Sequence, residues 1–280
     1  MALERAFRGK FSVTELGYAL INFSHGLQVN TNGDVYRVNR DRLQKGNLRR
    51  KYKQLAFYNS VSSAEDPFIK DCLAATVDTS TANVIAGIRQ EGAMRNQNLQ
   101  AKKLVQKLQA IDENDAVLIG LECLALYTCD SFLSKSLNKF SRERDYTKMN
   151  TLGPFLKLLY SQFNKFPSNV TSLKVYRGEH LRAHDLRAYK RGVRKKTYRW
   201  LGFTSTSKSE EVAKTFIRNA FFIIYLEKKY NGGYALDIQA LSNFNEEDEV
   251  LFRPGVEFSI DKLEYDKDTN LNTFYLTAYI

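Results

Sequence analysis

The chain has 280 residues, with 42 Lys and Arg against 31 Asp and Glu and a formal net charge of +11. That length supports one large domain or two modest ones, and the charge favours an anionic partner without choosing among nucleic acid, an acidic protein, a membrane face and a phosphate-bearing cofactor. Cys72, Cys123 and Cys129 are too few and wrongly spaced for a disulfide framework. With only His25, His180 and His184 beside them, no Cys/His set has zinc-ligand spacing, so a reducing compartment and no metal are expected.

Met1-Ala2-Leu3-Glu4-Arg5 lacks a basic start followed by an apolar run, and position 2 is not Gly. No segment approaches the ~18 apolar residues that span a bilayer. The expectation is a soluble, cytoplasmic protein, with delivery as an effector that lacks a standard signal peptide left open. Charge is uneven: residues 1–110 hold 17 basic and 9 acidic side chains, net +8, and residues 111–280 hold 25 and 22, net +3.

Asn30-Thr31-Asn32-Gly33-Asp34 marks a turn in an otherwise mixed first segment. Arg40, Arg42, Lys45, Arg49, Arg50, Lys51 and Lys53 then fall within fourteen residues opposed only by Asp41. This run reads as a solvated helix face, with an anionic docking surface as the alternative. The lack of interleaved aromatics points away from nucleic acid. Ala64-Glu65-Asp66-Pro67 starts a helix, Asn83 to Ile111 reads as a long amphipathic helix or a broken pair, and Asp112 to Asp115 breaks it. Ala116 to Tyr127 is an apolar helix whose buried side is assigned to Leu118, Leu121, Leu124 and Leu126. Phe132 to Phe140 and Phe155 to Phe166 continue in helical register.

After Pro167 the period changes to short β-branched and aromatic runs: Leu173 to Arg177, Phe221 to Leu226, Tyr234 to Ile238, Val250 to Phe252, Val256 to Ile260 and Phe274 to Ile280. Asn231-Gly232-Gly233 between two of them predicts a hairpin. Runs at this spacing favour a largely antiparallel sheet, hence an α+β chain with a soft boundary near residue 110. Residues 1–110 are expected to be basic and mostly helical, and residues 111–280 to carry the chemistry.

Three segments carry candidate chemistry. Leu173 to Gly178 is an apolar strand ending in Arg177-Gly178; the planar guanidinium suits phosphate oxygens and Gly178 lets a ligand approach the backbone, while a structural ion pair is the plain alternative. In Phe203-Thr204-Ser205-Thr206-Ser207, Ser207 and Glu210 fit a capping box, whereas Ser205 is free to hold a carboxylate or a ribose; no histidine stands as its base. Glu246-Glu247-Asp248-Glu249 runs into Val250-Leu251-Phe252. If the strand begins at Glu247, Glu247 and Glu249 share a face; a solvated acidic turn is the plain alternative.

Val175-Tyr176-Arg177-Gly178, Phe203 to Ser207 and Glu247-Asp248-Glu249-Val250-Leu251, in that order, resemble the Arg, Ser-Thr-Ser, Glu-x-Glu series of NAD-dependent arginine mono-ADP-ribosyltransferases. The flanks Glu122 to Thr128, Leu137-Asn138 and Leu251 to Phe258 are similar as well, so the resemblance spans about residues 115 to 265. It implies an N-terminal helical lobe followed by a split, mainly antiparallel β-core, with NAD in the cleft as substrate. On the matching positions Arg177 would bind an NAD phosphate, Gly178 would offer its backbone to the nicotinamide amide, and Ser205 would orient Glu249. Glu249 would be the catalytic glutamate on the ribose hydroxyl, and Glu247 would activate the incoming guanidinium of an arginine-bearing protein acceptor.

Phe216 is read as a core residue of the helix after Ser207, with a cover over the nicotinamide as the alternative. Arg187 to Arg199, the densest basic run, is either a guide for an acidic target or the cofactor, or a solvated loop. NAD glycohydrolysis and a catalytically silent basic binding module are the competing functions.

Overall fold

The computed structural model describes residues 66–165, 170, 173–230, 232–242 and 245–280, together with strand segments at 13–16, 19–22, 27–30, 35–37 and 57–59. The chain divides into two compact units, Met1–Lys53 and Gln54–Ile280. The first holds a four-stranded antiparallel sheet, β1 (Val13–Leu16), β2 (Ala19–Asn22), β3 (Leu27–Asn30) and β4 (Val35–Arg37), in sequence order. The expected turn at 30–34 falls between β3 and β4, which pair antiparallel. Residues 31–34 and the basic run from Arg40 to Lys53 lie outside the described residues.

The second unit begins with β5 (Phe57–Asn59) and a set of capped helices. Asp66 accepts from the Ile69 amide and Pro67 stands in the first turn of α1 (Pro67–Ala74). Ser80 caps α2 (Thr81–Ala93), and a left-handed residue, Asn96, separates it from α3 (Asn98–Gln109), so the broken pair is the form adopted. Asp115 caps α4 (Ala116–Thr128), Ser131 caps α5 (Phe132–Glu143), and α6 (Met149–Lys165) packs against α1, α2, α4 and α5. These side-chain oxygens satisfy amides that a helix start leaves without partners. Because α1 to α3 belong to this packing, the division of the chain falls at residue 53/54 instead of near 110. In α4 the buried side is Ile119, Cys123, Leu124, Leu126 and Tyr127; Leu118 is half exposed and Leu121 only partly buried, because the stripe starts one residue later than periodicity put it.

The rest is β6 (Lys174–Glu179), α7 (Ala183–Gly192), β7 (Thr197–Trp200), β8 (Thr204–Ser207), α8 (Glu210–Thr215), β9 (Ala220–Glu227), β10 (Ala235–Asp237), β11 (Glu249–Phe252), β12 (Glu257–Asp266) and β13 (Leu271–Tyr279). With β5 they form a nine-stranded sheet ordered β10-β11-β8-β6-β9-β13-β12-β7-β5. Every pair is antiparallel except β9 with β13. Between β6 and β8 a single pair, Tyr176 with Ser207, joins the strands, so the sheet is split at that seam. Along β13 alternate residues are buried, as period-two side-chain projection requires, and Phe274, Leu276 and Ala278 enter a core with Trp200, Phe222, Phe252 and Phe258. Trp200 stacks on Phe258 at 4.1 Å between centroids.

The hairpin expected at Asn231-Gly232-Gly233 is not formed: β9 pairs with β6 and β13, and β10 pairs with β11. A Cβ on Gly233 would lie 1.4 Å from the Phe163 carbonyl oxygen, so this glycine serves a close approach to α6. Arg199, counted in the basic run, begins no loop; it lies in β7, 4% exposed, beside Glu257. Among the described residues no single helix is long and apolar enough to cross a membrane.

Candidate active site

Glu249 opens β11 and is buried, 5% exposed. Its carboxylate accepts from the Ser242 hydroxyl at 3.1 Å and from the Ser205 hydroxyl. Burial pushes its pKa up, against the pull of those two hydroxyls and of the Arg177 guanidinium.

Glu247 reaches its neighbour by a different route from the one expected. It ends a 3-10 turn, Asn245–Glu247, and Asp248 adopts a left-handed backbone (φ 49°), so the strand begins at Glu249 and strict alternation does not apply. The turn is pinned from β8: Ser207 donates its hydroxyl to the Glu247 carbonyl at 2.6 Å and the Lys208 amide donates to the Asp248 carbonyl at 3.0 Å. Glu247 is half-buried, and its pKa is raised by burial and by the charges of Glu249 and Glu246.

Ser207 therefore ties two of the three segments together, and the cap of α8 falls to Ser209, which accepts from the Val212 amide. The cap expected at Ser207 is taken two residues later by Ser209, while the Ser207 hydroxyl donates to the Glu247 carbonyl and accepts from the Ser209 amide.

Arg177 stands beside the seam. Its Nη1 donates to the Ser205 carbonyl at 2.5 Å and its Nε to Glu179 at 3.0 Å. The ion pair read as the plain alternative is present, and it coexists with the contact to the Ser205 segment. Arg177 also lines a recess with Asn138 and Arg142 of α5, Glu179, Tyr189, Phe203 and Thr204. Asn138 donates to the Tyr127 hydroxyl at 2.8 Å, and burial raises the Tyr127 pKa. Arg142 has its pKa lowered by burial despite nearby Glu179. A Cβ on Gly178 would lie 2.3 Å from the Ala213 carbonyl oxygen, so the glycine is required by the end of α8 packing over it. Phe216, which caps that end, is 48% exposed and so is not the core residue expected.

Arg177, Ser205, Glu247 and Glu249 are thus brought to one place from β6, β8 and the turn before β11, with Gly178 next to Arg177. Ser242 and Arg142 were missed by sequence reasoning. Arg142 carried a usable signal, one helical turn after Asn138; Ser242 sits in a turn-forming stretch with no period of its own. Among the described residues no group of three or more His, Cys, Asp or Glu side chains is placed to hold a metal ion.

The α+β fold with a split sheet holds an acidic pair, half-buried Glu247 and buried Glu249, beside Arg177 and Ser205. A family model described as ART, NAD:arginine ADP-ribosyltransferase, matches residues 58–277, and the chain belongs to that family of mono-ADP-ribosyltransferases, whose substrate is NAD. Similar solved structures include the ADP-ribosyltransferase HopU1 of Pseudomonas syringae pv. tomato DC3000, at 17% identity over 79% of this chain and 99% of that one, TM-score 0.49. The eucaryotic mono-ADP-ribosyltransferase ART2.2 is 18% identical over 78% and 90%, TM-score 0.47. Exoenzyme S from Pseudomonas aeruginosa, in complex with human 14-3-3 protein beta and carba-NAD, is 17% identical over 70% and 88%, TM-score 0.47. No curated protein sequence matches this chain.

Proposed function

We propose that this enzyme transfers ADP-ribose from NAD to an arginine side chain of a protein, with release of nicotinamide. The observation that carries this reading is the position of Glu247 two residues before the buried Glu249, across the Asp248 corner, with a raised pKa. A protonated guanidinium is a poor nucleophile, and a carboxylate that binds protons more readily than usual is a better base for it near neutral pH.

In this reading the Arg177 guanidinium holds an NAD phosphate, with Arg142 as a second cation in the same recess. The Gly178 backbone meets the nicotinamide amide, and the exposed Phe216 ring covers nicotinamide. Glu249, held by Ser205, bonds the ribose hydroxyl and stabilises the positive charge that develops on the sugar as the C1′–N bond breaks. The bonding pair leaves with neutral nicotinamide, a guanidinium nitrogen forms the new bond to C1′, and its proton passes to Glu247 and on to solvent. Glu247 is only half-buried, so water can reach the same cation, and hydrolysis of NAD is the second reading.

Labelled NAD offered with polyarginine or agmatine tests both. Wild type is expected to label the acceptor, and Glu249→Ala to lose both labelling and nicotinamide release by about 10²–10³-fold. Glu247→Ala should lose transfer and keep much of the hydrolysis; transfer preserved in that variant removes Glu247 from the acceptor role. Nicotinamide release by wild type with no labelled acceptor favours hydrolysis, and neither product leaves a silent binding module.

A further inference from the structure

We infer that Ser242 is a positioning residue for Glu249, closing with Ser205 a two-hydroxyl clamp on its carboxylate. The Ser242 hydroxyl donates to Glu249 Oε2 at 3.1 Å, and the two residues are 6% and 5% exposed. The backbone around them is closed on itself. The Ile238 amide donates to the Glu249 carbonyl at 3.0 Å, and the Ser242 amide donates to the Ile238 carbonyl at 2.8 Å. Glu249 thus anchors, through its main chain, the turn whose serine holds its side chain.

One donor would not suffice for this. The last torsion of a glutamate is broad and roughly two-fold, so a carboxylate held at one point turns about that bond. Ser205 approaches from β8 and Ser242 from the turn after β10, and two donors from separate elements fix the carboxylate plane. Both hydroxyls also favour the charged form, which burial disfavours. The other ionisable groups that act on this site are Arg177 from β6, Tyr127 from α4 and Glu247 from the preceding turn. Replacing Ser242 leaves all three in place.

The kinetic part of this inference rests on Glu249 being the carboxylate that meets NAD; the titration part rests on the Ser242–Glu249 hydrogen bond. The full chain, labelled with ¹³C at glutamate Cδ, is titrated by NMR, with the Glu249 signal assigned by its loss in Glu249→Gln. In Ser242→Ala the Glu249 midpoint is expected to move upward, and in Ser242→Thr to return toward wild type. Nicotinamide release should fall about ten- to hundredfold in kcat for Ser242→Ala, with KM for NAD changed less than about twofold. The acidic limb of the kcat profile should follow the NMR midpoint. Should Ser242→Ala fail to fold, Ser242→Cys keeps the volume with a weak donor, and the same upward movement is expected.

A Glu249 midpoint that stays put in the folded variant overturns the clamp. A midpoint that moves while wild type cleaves no NAD leaves the clamp standing and removes the functional reading instead.

Discussion

Glu249 is held ionisable at a cost to the fold. Burial raises its pKa, so the folded chain binds this proton more tightly than the unfolded chain does. For a carboxylate shifted in that direction the stabilisation is fully present below the unfolded pKa, about 4.3, and is lost as pH rises through the higher folded value. Near neutral pH the charged group therefore destabilises the native state. Glu249→Gln is expected to unfold at higher temperature than wild type near neutral pH, by on the order of 1 kcal/mol of added stability, while losing activity. The difference should vanish below about pH 4, where both side chains are neutral. Thermal melts across that range check it, and a Glu249→Gln protein less stable than wild type near neutral pH would show that the hydroxyls and Arg177 outweigh burial. Much of this site was legible at the level of single residues. Arg177, Ser205 and Glu249 stand in segments whose pattern could be read, and their convergence follows from strand order. Ser242 was not legible, because its contact depends on a turn latched to the Glu249 backbone, which no local period announces.

At the scale of elements, the turn before β11 decides where Glu247 goes. A strand starting at Glu247 would have put both glutamates on one face; the left-handed Asp248 replaces that arrangement with a corner. The run of four acids leaves the register one residue uncertain should a bulge intervene, but does not place the corner at Asp248, although Asp tolerates this backbone better than most residues. Asp248→Gly should keep transfer near the wild-type level. Asp248→Val should cost about 1–2 kcal/mol and reduce transfer to agmatine more than nicotinamide release, because it displaces Glu247 ahead of Glu249. Equal losses in the two reactions would mean the corner has no part in acceptor use. The elements that could be read were those with long runs or strong caps, such as α1 behind Asp66-Pro67 and the alternating β13. The hairpin at Gly232-Gly233 was misread because Gly233 answers to Phe163 on α6, far away in sequence.

Over the whole molecule the charge excess has a visible surface in the second unit. Arg191, Arg194, Lys195 and Lys196 are exposed at the end of α7 and the turn after it, while Arg199 of the same run is buried beside Glu257. Composition alone had counted them together. Neutralising the four exposed residues should lower activity more at low than at high ionic strength, since exposed charges farther apart than about 10 Å are screened at ~0.1 M salt. Equal losses at both would reject a guiding role. The seam between β6 and β8 carries a further consequence. With one rung of the ladder across it, the two half-sheets are tied there by the Arg177 side chain reaching the Ser205 carbonyl. The same guanidinium borders the recess, so an anion that drew it outward would weaken the tie between the halves.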